Sequence, residues 1–396
     1  MRGQNTVLFL SEKTGYSHLY RWRVGDEESV PLTKGEFEVS QVQLDRQGQH
    51  VYCVANQEHP GIYEISRVPL SGGGLQRLTH WRGRCDFKLS PTSNHLLVTA
   101  SKIDQPAELF VQHVDDPDSW QRRTHTVSKN FAEIAWAVPE IVDVPSEHHE
   151  RPIQSKIYKA TAPESTESKP AVVFVHGAGY LQNSHYGWSS SYFREFMFHS
   201  LLVQHGYTVL DMDYRASAGY GRDWRTAIYR HMGKPELEDL QDGVAWLAKE
   251  HDIDPKRVGV YGGSYGGFMT LYALFQAPDL FACGAALRPV TDWAHYNHGY
   301  TSNILNTPEI DPEAYRNSSP IYFAEGLTKP LLMCHGMVDD NVFFKDTVRL
   351  AQRLIELEKE HWEVAMYPIE PHGFRTSSSW LDEYRRILKL FETHLK

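Results

Sequence analysis

A serine framed by glycines, Gly262-Gly263-Ser264-Tyr265-Gly266, is the strongest chemical signal in the 396-residue sequence. A G-x-S-x-G match arises by chance in roughly one chain in ten of this length, so its setting decides. The apolar run RVGVY leads directly into the motif and GFMTLYALF runs directly out of it. A strand, a tight elbow and a helix expose a nucleophilic serine in this way, and the elbow has no room for side chains beside the serine. A serine hydroxyl is a weak nucleophile and needs a base that a third group orients. An acid and then a histidine are expected to follow, each just past a strand end. PLLMCHG delivers Asp339-Asp340, and WEVAMYPIEP delivers His372-Gly373. Asp339 would fix the imidazole tautomer, with Asp340 the alternative acid, and His372 would carry the proton of Ser264. The oxyanion needs donors: the backbone N–H of Tyr265, and that of Ala178 in His176-Gly177-Ala178-Gly179, with the His176 side chain competing for the second place. The plainer readings are a glycine-rich turn with a solvated serine and a tight turn at 176–179.

The elements that must position these groups follow from periodicity. From about residue 139, apolar segments at 153–157, 171–175, 207–211, 257–261, 330–334 and 362–368 read as strands. Helical patterns fall at 236–249, 266–275, 343–358 and 380–394. Strands alternating with helices mean an α/β fold, a largely parallel sheet covered on both faces. Residues 5–115 differ: VLFLSEK, VYCVANQ and LLVTASK recur at 7, 51 and 96, each followed by a related segment. A period in the mid-forties with several strands per unit is the signature of β-propeller blades. Ser71-Gly72-Gly73-Gly74 lacks the lysine and helix of a phosphate loop and reads as a hairpin turn. The expected organisation is a partial propeller of two to three blades over 1–138 and an α/β domain over 139–396. Closed propellers use about four to eight blades, so the chain reads as the C-terminal part of a longer protein; otherwise a second copy would cover the open sheet, making a homo-oligomer.

Composition narrows the function classes. There are 40 basic and 50 acidic residues, a formal charge of −10, and the excess lies almost wholly beyond residue 138. That argues against nucleic-acid or anionic-membrane partners, which need basic patches. No window approaches 18 consecutive apolar residues, so no membrane span is expected. As it stands the chain reads as cytoplasmic; an upstream leader would make it periplasmic or secreted. Cys53, Cys85, Cys283 and Cys334 are dispersed and read as buried small hydrophobes. His148-His149 lacks the spacing of a zinc motif; no metal and no cofactor are expected.

Three segments together, Gly262-Gly263-Ser264-Tyr265-Gly266-Gly267, His335-Gly336-Met337-Val338-Asp339-Asp340-Asn341-Val342 and Pro371-His372-Gly373, resemble the catalytic segments of the prolyl oligopeptidase family, in particular the branch of dipeptidyl peptidase IV and its bacterial relatives. The resemblance covers the α/β-hydrolase domain and fits the partial propeller. It implies a proline-binding slot built from Val290, Trp293, Tyr296 and Tyr300 with Tyr265 and Val342, and Asn341 as donor to the carbonyl preceding proline. A compact proline ring suits such aromatic faces. The implied activity is a serine peptidase cutting short peptides after proline, in dipeptidyl or aminopeptidase fashion. The alternative is a carboxylesterase using the same triad. Two features depart from the family: His176 stands where dipeptidyl peptidases place a tyrosine, and Ala178 replaces the second glycine of the acylaminoacyl branch's His-Gly-Gly turn. The family's acidic pair for a free substrate N-terminus has no counterpart in 1–138, since Glu27-Glu28 sits in a hairpin turn.

Overall fold

The structure, a computed structural model, describes residues 5–160, 169–177 and 179–396. It divides into two compact units. The first comprises Met1–Val138 with His185–Phe193 and Ala218–Arg225; the second comprises Pro139–Ser184, Arg194–Ser217 and Thr226–Lys396.

Within the first unit the repeat appears as three antiparallel sheets of three, four and four strands. The recurring segments are the strands Thr6–Ser11, His50–Ala55 and His95–Lys102. Apolar side chains of the two four-stranded sheets form one core cluster, among them Tyr52, Ile65, Phe87, Leu96 and Val98, and Leu19, Val39, Val51 and Val68 belong to a second. Residues 71–74 are the expected turn, joining Glu64–Pro69 to Gln76–Arg77. Gly72, Gly73 and Gly74 all have φ between 94° and 132° there, a region that side chains other than glycine enter at a cost. Two segments that periodicity assigns to the α/β half belong to this unit. Tyr186 donates its N–H to the Gly61 carbonyl at 2.9 Å, and the Gly219 carbonyl accepts from Asn56 Nδ2 at 3.0 Å.

The second unit is an eight-stranded sheet: β1 (Glu140–Val144), β2 (Ile153–Tyr158), β3 (Lys169–Val175), β4 (Thr208–Met212), β5 (Ile253–Gly263), β6 (Cys283–Leu287), β7 (Leu331–Gly336) and β8 (Trp362–Tyr367), in the order β1-β2-β4-β3-β5-β6-β7-β8. From β4 to β8 all pairs are parallel, while β1 and β2 are antiparallel to their neighbours. Helices cover it: α1 (Phe193–Gln204), α2 (Lys234–Glu250), α3 (Tyr265–Gln276), α4 (His298–Leu305), α5 (Lys345–Glu356) and α6 (Ser377–His394). The apolar stretches of the central strands are buried, Ala171–Val175 of β3 and Val258–Gly263 of β5 among them, as the uninterrupted run AVVFV requires. The strand β6, CGAAL, carries little β-propensity and no alternation, and packing alone makes it a strand: all five residues are buried. Because the strands run in parallel, the ends of β3, β5, β6, β7 and β8 meet along one edge, with Val175 beside Gly262, Gly263 beside Leu287 and Gly336 beside Tyr367. Open α/β sheets place their ligands at that edge.

The four cysteines are buried and free. No group of three metal-ligating side chains occurs among the described residues, and no helix among them is long and apolar enough to cross a membrane.

Candidate active site

Ser264 sits between the end of β5 and the start of α3 with φ 59° and ψ −115°. Such a conformation costs a non-glycine residue about 1–3 kcal/mol and persists only where its surroundings enforce it. Neighbouring glycines make the enforcement possible. A Cβ at Gly266 would lie 1.9 Å from the Val175 carbonyl, and one at Gly262 2.3 Å from the same oxygen. Strand β3 therefore passes so close beneath the elbow that only hydrogen fits on either side. The Ser264 N–H is tied to the Leu287 carbonyl of β6 at 2.9 Å.

Three side chains from three strand ends converge on this point. His372, five residues past β8, places Nε2 2.9 Å from Ser264 Oγ. Its Nδ1 lies 2.7 Å from Asp339 Oδ2, three residues past β7. Asp339 is buried at 4% exposure, whereas Asp340 is exposed, so the neighbouring acid faces solvent. The Asp339 carboxylate also accepts from the backbone N–H groups of Asn341 at 2.9 Å and Val342 at 3.0 Å. Burial alone would raise its pKa, but hydrogen bonds from His335 and His372 outweigh it and hold the carboxyl well below the ordinary range. For His372 the balance goes the other way: burial lowers its pKa below 6.5, the Asp339 hydrogen bond opposes this, and the Arg288 charge reinforces it.

His335 is the residue that motif reasoning passes over. It is fully buried, with Nε2 3.3 Å from Asp339 Oδ2 and 2.9 Å from the Val342 carbonyl, and Nδ1 2.8 Å from Thr347 Oγ1. It shapes the turn that presents Asp339. The signal was present as a histidine four residues ahead of the acid, but nothing in the spacing says that its ring turns back on the same carboxylate.

Tyr265 opens α3, so its N–H has no intrahelical acceptor, and it follows Ser264 directly in the chain. Ala178 lies outside the described residues. The His176 side chain, its competitor, is fully buried and committed elsewhere, with Nε2 2.9 Å from Ser217 Oγ and 3.4 Å from Asp213 Oδ1. Its ring cannot also face an oxyanion at the serine.

The aromatic residues of the expected slot come together. Tyr265 packs on Trp293 with ring centroids 5.7 Å apart, and Trp293 on Tyr296 at 5.5 Å and Tyr300 at 6.0 Å. Tyr296 Oη donates to Asn341 Oδ1 at 2.7 Å, which ties the aromatic wall to the turn carrying Asp339. Asn341 itself is exposed, and Val342 and Val290 are buried. The Tyr300 hydroxyl and the Trp293 indole N–H are buried without a hydrogen-bond partner. A mostly apolar wall with a few convergent polar atoms suits a small, rigid ligand group. The segment 293–300 splits into a short turn at Trp293–His295 and the helix α4, rather than running as one apolar stripe.

Comparison with known proteins shows what the chain is similar to. Residues 193–396 match the prolyl oligopeptidase family, and residues 1–107 match the N-terminal region of dipeptidyl peptidase IV. Human dipeptidyl peptidase 8 is 29% identical over 424 residues, covering 94% of this chain and 45% of that protein. A protein named probable dipeptidyl-aminopeptidase B in Aspergillus oryzae is 29% identical over 387 residues, covering 94% and 42%. The chain thus spans less than half the length of these curated relatives. In three dimensions it is similar to Porphyromonas gingivalis dipeptidyl peptidase 4, with a TM-score of 0.90 and 22% identity, over 98% of this chain and 55% of that one.

Proposed function

The chain belongs to the prolyl oligopeptidase family, and from that premise we propose that it is a serine peptidase that hydrolyses short peptides after proline, releasing a dipeptide. The observation that carries this reading is the continuous contact from Asp339 through His372 to Ser264, at 2.7 and 2.9 Å. In the reaction, His372 Nε2 takes the Ser264 proton as Oγ attacks the scissile carbonyl. Negative charge then collects on the former carbonyl oxygen, where the Tyr265 N–H and a second donor from the Ala178 turn would receive it. The Asp339 carboxylate stabilises the imidazolium, which next protonates the leaving amine. Water repeats the sequence to free the acyl group. The proline ring would lie against Trp293, Tyr296 and Tyr300, with Tyr265, Val290 and Val342 behind them. Asn341 Nδ2 would donate to the carbonyl preceding proline, its Oδ1 being held by Tyr296.

Three substrates separate this from an esterase. Gly-Pro-p-nitroanilide should be cleaved with a kcat/KM at least about tenfold above that of Ala-Ala-p-nitroanilide, the discrimination a shaped apolar pocket supplies. Rapid turnover of p-nitrophenyl butyrate without cleavage of the proline amide would overturn the peptidase reading in favour of the carboxylesterase.

The pH profile follows from His372. The neutral imidazole is the active base, and its pKa lies below 6.5 in the folded protein. The acid limb of kcat/KM should therefore have its midpoint below about 6.5. A midpoint clearly above that value would show that the imidazolium is stabilised more than burial disfavours it.

A further inference from the structure

The short segment that follows β4 makes a bracket around the turn leaving β3. Asp213 is fully buried and accepts the N–H groups of Asn183 at 2.8 Å and Ser184 at 2.9 Å. Tyr214 Oη donates to the His176 carbonyl at 2.7 Å. Tyr180 donates its N–H to the Ala216 carbonyl at 2.9 Å, and Ser217 Oγ meets His176 Nε2. Both partners of the third contact are held at positive φ, 74° for Tyr180 and 113° for Ala216. Strain of this kind persists where a loop shape is enforced from outside.

The bracket also reaches the elbow. The Tyr214 ring is nearly parallel to that of His176, at 4.5 Å and 19°, and to that of Tyr265, at 6.2 Å and 7°. Tyr265 Oη in turn donates to the buried Glu236 carboxyl, whose other oxygen accepts the Gly233 N–H at 2.8 Å. His176 opens the turn expected to supply one oxyanion donor, and Tyr265 carries the other. Three stacked rings therefore join two pieces of backbone that are 89 residues apart in the chain.

We propose that Tyr214, held by the Asp213–Ser217 bracket, is a positioning residue that sets His176, where the turn after β3 begins, against Tyr265, the donor at the elbow. It touches neither substrate nor nucleophile and acts through His176 and Tyr265. The inference rests on the serine-hydrolase reading above. A donor must sit where the oxyanion forms, not where the ground-state carbonyl lies. Loosening the stack should thus harm the tetrahedral state while leaving substrate binding largely intact.

The test compares Tyr214→Leu, Tyr214→Phe and Ser217→Ala with the wild type on Gly-Pro-p-nitroanilide. Two inhibitors are titrated alongside: a prolyl boronic acid dipeptide, which forms a tetrahedral adduct on the serine, and the free Gly-Pro product, which does not. In Tyr214→Leu, kcat should fall about 10²-fold, the scale of losing one oxyanion donor. KM should stay within about threefold, boronate affinity should fall with kcat, and product affinity should hold. Tyr214→Phe keeps the stack and should retain kcat within about fivefold. Ser217→Ala, a milder change should the leucine variant not fold, should show the same split at about tenfold. A folded Tyr214→Leu protein with unchanged kcat, or one losing boronate and product affinity equally, overturns the proposal. A wild type inert toward substrate and boronate alike would instead overturn the hydrolase reading beneath it.

Discussion

Replacing Ser264 by alanine should lower kcat on a proline amide by about 10⁴–10⁶, with KM changed little. The size of the loss follows from what Oγ does. Without it no acyl-enzyme forms, and attack must come from a water acting directly on the scissile carbonyl instead of from an oxygen fixed beside His372. Donors at the elbow and the aromatic slot remain, so a residual rate above solution hydrolysis should persist. The substitution removes one oxygen at a position whose backbone is already enforced by Val175 and Leu287, so the thermal midpoint should move little. Two measurements check this: single-turnover hydrolysis of Gly-Pro-p-nitroanilide, and labelling of the protein by a fluorophosphonate. Wild type should be labelled once and the variant not at all. A variant that still turns over at a tenth of the wild-type rate would mean that another residue is the nucleophile, and the proposed mechanism would fall.

The parts of this site that are legible in the sequence are those where covalent geometry or chemistry restricts residue type. Gly262 and Gly266 are readable because a carbonyl of β3 passes where their side chains would be. Ser264, Asp339 and His372 are readable because parallel strands deliver loops to one edge, so a residue just past a strand end is in the right region whatever the loop does. Contacts that cross the fold leave no such trace. Nothing local marks His335 as a second partner of Asp339, since in a buried strand a histidine satisfied by backbone looks the same. Tyr214 and Glu236 meet Tyr265 only because the sheet order places β4 and α2 near the elbow. The strand β6 is hidden for a related reason: four of its five buried residues are small, and without bulky β-branched side chains the pattern shows no strand. Likewise His185–Phe193 and Ala218–Arg225 fall in the α/β half by sequence, and bonds across the chain, such as those to Gly61, Asn56 and Ser101, assign them to the first unit. His176 shows the limit most directly. As a residue type it is a plausible oxyanion donor, and its burial against Ser217 and Tyr214 removes it from that role.

Asp339→Asn should cost about 10⁴ in kcat while leaving the shape of the site intact. The atoms around the carboxylate decide this. Oδ1 accepts two backbone N–H groups, from Asn341 and Val342, and an asparagine will satisfy both with its own carbonyl oxygen. Its amide nitrogen is then turned toward His372 Nδ1. An N–H facing that position selects the tautomer in which Nδ1 is bare and Nε2 carries the proton. Nε2 then points its hydrogen at Ser264 Oγ and cannot take one from it. The base is present, well placed, and in the wrong protonation state. Loss of the negative charge adds a second effect. The Asp339 hydrogen bond is what raises the His372 pKa against burial, so without it the imidazolium formed during attack is less stable and the residual acid limb should move to lower pH. The measurement is kcat and its pH profile from about pH 4 to 9, with circular dichroism to show that the fold is kept. An Asp339→Asn protein with an unchanged rate would move the orienting role to another acid, Asp340 being the nearest in sequence. A slow variant whose acid limb shifts upward instead would mean that the carboxylate does not stabilise the imidazolium.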